Sequence, residues 1–518
     1  MQVHRAIFAL RHLGCAAGDT IAIWLPNRPE WPVLTYAAAF LGLCVVPVNT
    51  RLRPIELAHV LRHSLPRVLF TQQRFLTNDF PARLRQATED WIGDEGVAAT
   101  GPVPRPQHVV MVDDAECADT LRYGGLVADA PRGVDVADLA ELAAQRRASD
   151  PLWLFWTSGT TSSPKGVLLA QRAITAVWNW TKLAGYRHDD RVLMTRPLFY
   201  VAGHFWCLLG PLLQGALSVV GERFTSQEML ALCRDHAVTV LSGNPLLLKA
   251  LVDDPAFDAS CVANVRLGYF GGSSVSAADL QRIRKHIPYE ALLHVYGASE
   301  LGGLALSTRP GEPLETAGQT CGLPLPDVVL RLVDPDTGTP AQEGAIGMLL
   351  AKADSFLDYV GVTDEDRARL VTDDGWVRTG DLLRIRPDGR YVFVGRTKDL
   401  IKVGGENVTA AEIEATLLTH PDILQAAVMP VADAARGQVP LAYIQCVAQS
   451  SLQIVELQAW CRDKMAPFKV PREFRIVESW PMTATGKIAK HELEKLRASS
   501  ALGSSAETVA AAADARGQ

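Results

Sequence analysis

An apolar run, LWLFW at residues 152–156, leads without a break into TSGTTSSPKG at residues 157–166. No other stretch of the chain constrains its fold so tightly. The apolar residues read as a buried strand. The loop behind them is built from Ser, Thr and Gly and closes on Pro164, Lys165 and Gly166. Small residues let successive backbone N–H groups turn toward one point, hydroxyls add donors, and the lysine adds charge. A buried strand feeding such a loop suits the oxygens of a polyphosphate. This is not the common nucleotide loop, which needs Gly-x-x-x-x-Gly-Lys followed by Ser or Thr. Here proline precedes Lys165 and glycine follows it. Standing alone, the loop also reads as a Ser/Thr-rich surface linker.

The rest of the chain narrows the field. Its 518 residues are enough for more than one domain. A net charge of −6 with mixed signs offers no basic face for nucleic acid. Nine cysteines lie scattered without CxxC pairs or zinc spacing, which predicts reduced, mostly buried thiols in a cytoplasmic protein. No basic-then-apolar leader is present at the start. The longest apolar stretches, near 37–48 and 205–220, are broken by Gly, Pro or Gln, so no integral membrane span is expected.

Strand-like and helix-like runs alternate from the beginning. IAIWLP reads as a strand, WPVLTYAAAFLGL as a helix and CVVPVN as a second strand. This predicts an α/β fold. Residues 79–147 are rich in Gly, Pro and charge, and irregular surface structure is expected there. Short β-like runs (VVLRLVD, GMLLA, YVFVG) over 315–397 predict a small β subdomain. From residue 398 the pattern becomes a compact α+β module. The expected division is a large N-terminal domain of layered α/β subdomains plus the β subdomain at 1–397, and a smaller α+β domain at 398–495. The Ala/Ser-rich tail at 496–518 has no apolar period that needs a core.

Beyond the opening loop, five further segments carry a resemblance, in order. They are GGSSVS at 271–276, YGASE at 296–300, GWVRTGD at 375–381, GRTKDLIKVGGENVTAAEIE at 395–414 and PMTATGKIAK at 481–490. Together they resemble the adenylate-forming (AMP-binding) ligase family, which includes acyl-CoA synthetases, firefly-type luciferases and peptide-synthetase adenylation domains. The resemblance runs from about residue 18 to 493. It implies an ATP-dependent acid–thiol ligase. A carboxylate attacks the α-phosphorus of ATP to give acyl-AMP and pyrophosphate, and a thiol then takes the acyl group. Such chemistry needs positioning and charge neutralisation more than covalent help.

The roles implied by the resemblance fit the residue types. Thr157, Ser158, Gly159, Thr160, Thr161 and Lys165 would hold the phosphates. Glu300, with Thr160, would bind Mg2+, which prefers oxygen ligands. Ser299 would donate to the α-phosphate. Gly271, Gly272 and Ser273 would pass close to adenine, and Tyr296 and Gly297 would flank it. For Tyr296, a buried aromatic with a satisfied hydroxyl is the alternative. Asp381 would accept from the ribose hydroxyls, a turn cap being its alternative, and Arg396 would lie on the ribose and phosphate side. Lys487 would bridge carboxylate and α-phosphate in the first half-reaction, with Glu300 and Thr160 as its catalytic companions. Lys398 would be the hinge of a mobile C-terminal domain. Gly404 and Gly405 would line the path of CoA, and the GGEN string favours CoA over a carrier-protein thiol.

The acyl pocket is implied around RPLFYVAGHF at 196–205, with Tyr200, His204, Gly272, Gly297 and Gly302 facing the acid. His204 reads equally as a structural histidine. Tyr200, Phe205 and Trp206 make a bulky apolar entrance that suits a ring-containing or medium-length acid. Three features depart from the family pattern: Ser162 in place of a loop glycine, Met348 in place of a glutamate, and a short N-terminus. A carrier-protein adenylation enzyme, a luciferase-type oxygenase and a nucleotide- or acyl-binding protein with little turnover remain as alternatives, and a homodimer stays open. Lys487→Ala is expected to abolish acyl-AMP formation while largely sparing thioester formation from supplied acyl-AMP. Separate assays of pyrophosphate release and of CoA acylation check this, and equal loss in both would refute the division of labour.

Overall fold

Three short segments, Thr20–Ile23, Cys44–Pro47 and Val68–Thr71, are almost wholly buried and rich in β-branched residues. Strands buried on both faces belong in a parallel sheet covered by helices. The computed structural model places them there. It describes residues 1–89, 103–131, 133, 135–157, 164–272, 275, 277–403, 406–433, 435–447, 450–482 and 488–500. The first sheet has eight strands in the order Phe356–Val360, Lys165–Ala170, Pro151–Thr157, Cys44–Pro47, Thr20–Ile23, Val68–Thr71, His108–Met111 and Leu121–Arg122. From Pro151–Thr157 to Leu121–Arg122 all neighbours are parallel. The other edge is an antiparallel hairpin with a third strand added to it.

The helix Glu30–Leu41 crosses between two parallel strands and buries Trp31, Leu34, Ala37, Ala38 and Leu41. The helix Pro54–Ser64 begins with proline in its first turn, and Glu56 returns to the Arg53 N–H at 2.8 Å. Both features satisfy or remove donors that a helix start leaves open.

A second sheet is built in the same way. Arg191–Leu193 pairs in parallel with Leu217–Val219, and Leu267–Phe270 with Ala291–Tyr296. Val240 bridges the two pairs. Leu306–Ser307 and Leu323–Pro324 extend the sheet antiparallel. Asp190 ties its elements together. Its Oδ1 accepts from Thr239 Oγ1 at 2.7 Å and Arg266 Nε at 3.0 Å. Its Oδ2 accepts from Arg266 Nη2 at 2.5 Å and the Arg187 N–H at 2.7 Å.

The third sheet is an antiparallel meander of Val328–Val333, Ile346–Ala353, Val377–Ile385 and Tyr391–Arg396. Met348 packs in its small core with Val333, Leu350 and Leu382. Between its second and third strands the chain leaves to form Phe356–Val360, which pairs with Lys165–Ala170 of the first sheet. The meander ends at Arg396, and after the 3-10 turn Thr397–Asp399 a separate five-stranded sheet starts at Leu400. Helices Ala410–Leu417 and Ile454–Lys464 pack on that sheet around Ile401, Ile413, Leu417, Val428, Leu457 and Phe474. The architecture is thus a large N-terminal region of several sheets and a small C-terminal α+β domain.

Two local expectations differ from what is observed. The stretch 79–147 is not irregular throughout: Phe80–Thr88 is helical, and His108–Met111 and Leu121–Arg122 complete the edge of the first sheet. HVVM is too short to show a period, and pairing with Val68–Thr71 decides its conformation. The last helix, Lys490–Ser500, runs a turn past the expected start of the tail at 496, and residues 501–518 lie outside the described residues. All nine cysteines are free and seven are buried. Among the described residues no helix is long and apolar enough to cross a membrane. Asp190→Ala should cost about 3–5 kcal/mol, because it strands a largely buried Arg266. Urea denaturation would read this as a lower midpoint, and an unchanged midpoint would refute the stapling role.

Candidate active site

Parallel strands leave their C-terminal ends open for ligands, where the connections diverge. Pro151–Thr157 ends in the hydroxyl-rich loop, Leu267–Phe270 in Gly271 and Gly272, and Ala291–Tyr296 in Tyr296 and Gly297. The first of these ends is a hairpin whose last pair is Thr157 with Lys165. Ser158, Gly159, Thr160 and Thr161 of that loop lie outside the described residues, as do Ser162, Ser273, Gly404, Gly405 and Lys487. His59 on the helix Pro54–Ser64 donates from Nε2 to the Pro164 carbonyl at 2.9 Å and so fixes the loop's exit.

Lys165 reaches from this hairpin to the second sheet. Its Nζ lies 2.8 Å from Oε1 of Glu300, in the 3-10 turn Ser299–Leu301. Tyr359, on the strand Phe356–Val360, donates its hydroxyl to the same Oε1 at 2.7 Å. The phenol oxygen also accepts from Lys165 at 3.2 Å, and the ammonium sits 4.3 Å from the ring centre. Glu300 is 8% exposed. Burial alone pushes its carboxyl upward, but the charge of Lys165 and the hydrogen bonds from Lys165 and Tyr359 outweigh it and hold the carboxyl below its usual range. Ser299 opens the same turn. Sequence reasoning does not single out Tyr359, because FLDYV reads as an ordinary half-buried strand.

A second cluster joins the second sheet to the meander. Tyr296 donates its hydroxyl to Asp381 Oδ2 at 2.6 Å, and Arg396 Nε lies 3.0 Å from Asp381 Oδ1. Asp381 and Arg396 are cross-strand partners, which sets the second contact. Burial, then the charge of Asp381, pushes the Tyr296 phenol well up, so it stays a donor. Its ring lies 6.2 Å from that of Phe393.

Backbone packing brings the glycines in. A Cβ on Gly297 would stand 2.1 Å from the Gly303 carbonyl oxygen, so only glycine lets these two loops close. Gly272 has φ +86° and open space where a Cβ would be. Gly302 lies beside Phe205 and Ser355. Lys398 is exposed on the 3-10 turn between the two domains.

The segment 196–205 runs into a wide π-helical turn, Ala202–Leu209. Tyr200 stays half-buried at its start, where Asn49 Nδ2 donates to its hydroxyl at 3.1 Å, and burial pushes the phenol up to about 12. His204 is fully buried among Trp31, Trp153, Phe155 and Phe205. Its Nε2 accepts from Trp153 Nε1 at 3.2 Å, which puts the ring proton on Nδ1. Phe205 and Trp206 are buried with it, as packed walls and not as an open entrance.

Comparisons with known proteins show the family and the fold. Residues 1–357 match the family described as AMP-binding enzyme, and residues 412–487 match the AMP-binding enzyme C-terminal domain. The chain is 31% identical over 499 residues to the 3-[(3aS,4S,7aS)-7a-methyl-1,5-dioxo-octahydro-1H-inden-4-yl]propanoyl:CoA ligase of Mycobacterium tuberculosis, covering 95% of this chain and 92% of that one. It is 29% identical over 487 residues to the 2-succinylbenzoate–CoA ligase of Bacillus licheniformis, covering 93% and 91%. Among solved structures, the anthranilate CoA ligase AuaEII in complex with anthranoyl-AMP aligns with a TM-score of 0.84 at 26% identity, over 97% of this chain and 92% of that one. The chain belongs to the AMP-binding, adenylate-forming enzyme family, among the AMP-forming acid–CoA ligases.

Burial lowers the pKa of His204 from 6.5 to about 4. The unfolded chain therefore binds the extra proton first as pH falls, and stability contributed by this group is lost between about pH 6.5 and 4. The loss amounts to about 3 kcal/mol in all. The difference in unfolding free energy between wild type and His204→Phe should shrink across that window, and a pH-independent difference would contradict the buried neutral imidazole.

Proposed function

We propose that this enzyme activates a ring-containing or medium-length carboxylic acid as its acyl-adenylate and passes the acyl group to CoA. The observation that carries the reading is a pair of clusters, Lys165 with Glu300 and Tyr296 with Asp381 and Arg396, whose residues Tyr296 and Glu300 lie four positions apart at and just past the end of a parallel strand. Lys165 and the loop hydroxyls of Thr160 and Thr161 hold the phosphates. Asp381 exchanges its internal partners for ribose hydroxyls, and Arg396 stays on the ribose and phosphate side. Tyr296 and the backbone at Gly271, Gly272 and Gly297 flank the base.

A divalent ion fits this site only as part of a nucleotide complex. Among the described residues no group of three or more His, Cys, Asp or Glu could hold a metal. Glu300 is one hard oxygen ligand, and Mg2+ is commonly held by one or two carboxylates plus phosphate oxygens. When bound, Mg2+ would neutralise charge on the phosphates. Lys487 bridges the acid and the α-phosphate, and Lys398 is the pivot about which the C-terminal domain exchanges Lys487 for the Gly404–Gly405 path of CoA. Similar proteins are named for ring-containing acids (an octahydro-indenyl propanoyl acid, 2-succinylbenzoate and anthranilate) and for medium-chain acids, and one for sulfoacetate.

The test is pyrophosphate release with Mg2+-ATP against aromatic, alicyclic, short, medium and long acids, each with and without CoA. Release confined to ring-containing or medium-length acids, with a CoA thioester as product, is expected. Release without thioester would favour a carrier-protein acceptor. No release with any acid would favour a binding protein.

A further inference from the structure

We propose that Tyr359 is a positioning residue for the phosphate end of the site: its phenol holds the Glu300 carboxylate in place while Lys165 moves to the nucleotide. The proposal rests on the ligase reading above. Lys165 has two duties that cannot be met at once. In the structure its ammonium neutralises Glu300 at 2.8 Å. With a nucleotide present, the same ammonium is needed on the phosphates. Glu300 is 8% exposed, and it exchanges the ammonium for Mg2+ that arrives with the nucleotide, so its carboxylate must keep its orientation while one cation leaves and another enters. A donor must remain behind.

Tyr359 is built for that part. One hydroxyl accepts from Lys165 at 3.2 Å and donates to Glu300 Oε1 at 2.7 Å, so it touches both members of the pair. The donation to Glu300 does not depend on Lys165 and survives its departure. The ring lies beneath the ammonium at 4.3 Å, which gives Lys165 a track along which to leave. The position of the phenol is not set by the loop it serves. It is fixed by backbone pairing of Tyr359 with Val167, two residues beyond Lys165, and the Phe356 ring at 5.0 Å lies beside it without touching the hydroxyl's bonds. Tyr359 is 6% exposed, and among the described residues the groups that face Glu300 from the packed elements are Lys165 on the hairpin and Tyr359 on its neighbouring strand.

Tyr359→Phe tests this directly. By calorimetry its Kd for Mg2+-ATP should rise, and its rate of pyrophosphate formation should fall, each by roughly 10–100-fold, the range seen when a partner that orients a ligand-binding carboxylate is removed. Thioester formation from supplied acyl-adenylate and CoA should stay near wild type. Phe356→Leu removes the ring contact, leaves the phenol, and should spare both half-reactions. Wild-type ATP affinity in Tyr359→Phe, or equal loss of both half-reactions, would overturn the proposal. Should Tyr359→Phe not fold, Tyr359→His, which keeps a ring donor, must bind ATP more tightly than Tyr359→Leu; equal binding overturns it too. A wild type inactive with every acid would sink the ligase reading instead, and the calorimetry would still decide the role of Tyr359.

Discussion

The pairing of Phe356–Val360 with Lys165–Ala170 is the constraint on which the site depends. The first sheet supplies the hairpin that carries Lys165, the second supplies Tyr296 and Glu300, and the meander supplies Asp381 and Arg396. By sequence these lie far apart. One strand leaving the meander and adding itself to the hairpin locks the meander against the first sheet. Its neighbour in the chain, Ile346–Ala353, pairs with the strand that carries Asp381. Backbone hydrogen bonds, and not loop contacts, therefore set the distance between Lys165 and Asp381. Sites held by strands keep tighter geometry than sites held by loops.

Much of this was legible in the sequence, for a physical reason. The layered α/β order follows from short apolar strands alternating with longer apolar runs of helix length, and Thr20–Ile23, Glu30–Leu41 and Cys44–Pro47 stand close to where their patterns put them. Residues whose chemistry demands particular local backbone, such as Gly297 beside the Gly303 carbonyl, leave a string of small residues that can be read directly. Partners set by tertiary pairing leave no such trace. Tyr359 meets Glu300 across 59 positions and Lys165 across 194, and FLDYV by itself is an ordinary half-buried strand. The π-helical turn at Ala202–Leu209 is equally hidden, because an i→i+5 ladder has no residue signature distinct from an apolar α-helix. His204 shows the same limit from the other side: a histidine near a pocket segment and a histidine inside a core have one and the same sequence.

The two ion pairs described above have a thermodynamic consequence. Lys165 holds Glu300, and Arg396 with Tyr296 holds Asp381. On the proposed function, a nucleotide entering such a cleft would trade these internal contacts for its own, and its binding would be an ion exchange and not the filling of a charged hole. Affinity is then the small difference between two large sets of contacts. Release of the product is eased by the same device, since each protein charge has a partner waiting as the ligand leaves. Evolution can tune turnover in such a cleft from the protein's side alone, by adjusting how firmly its own charges hold one another.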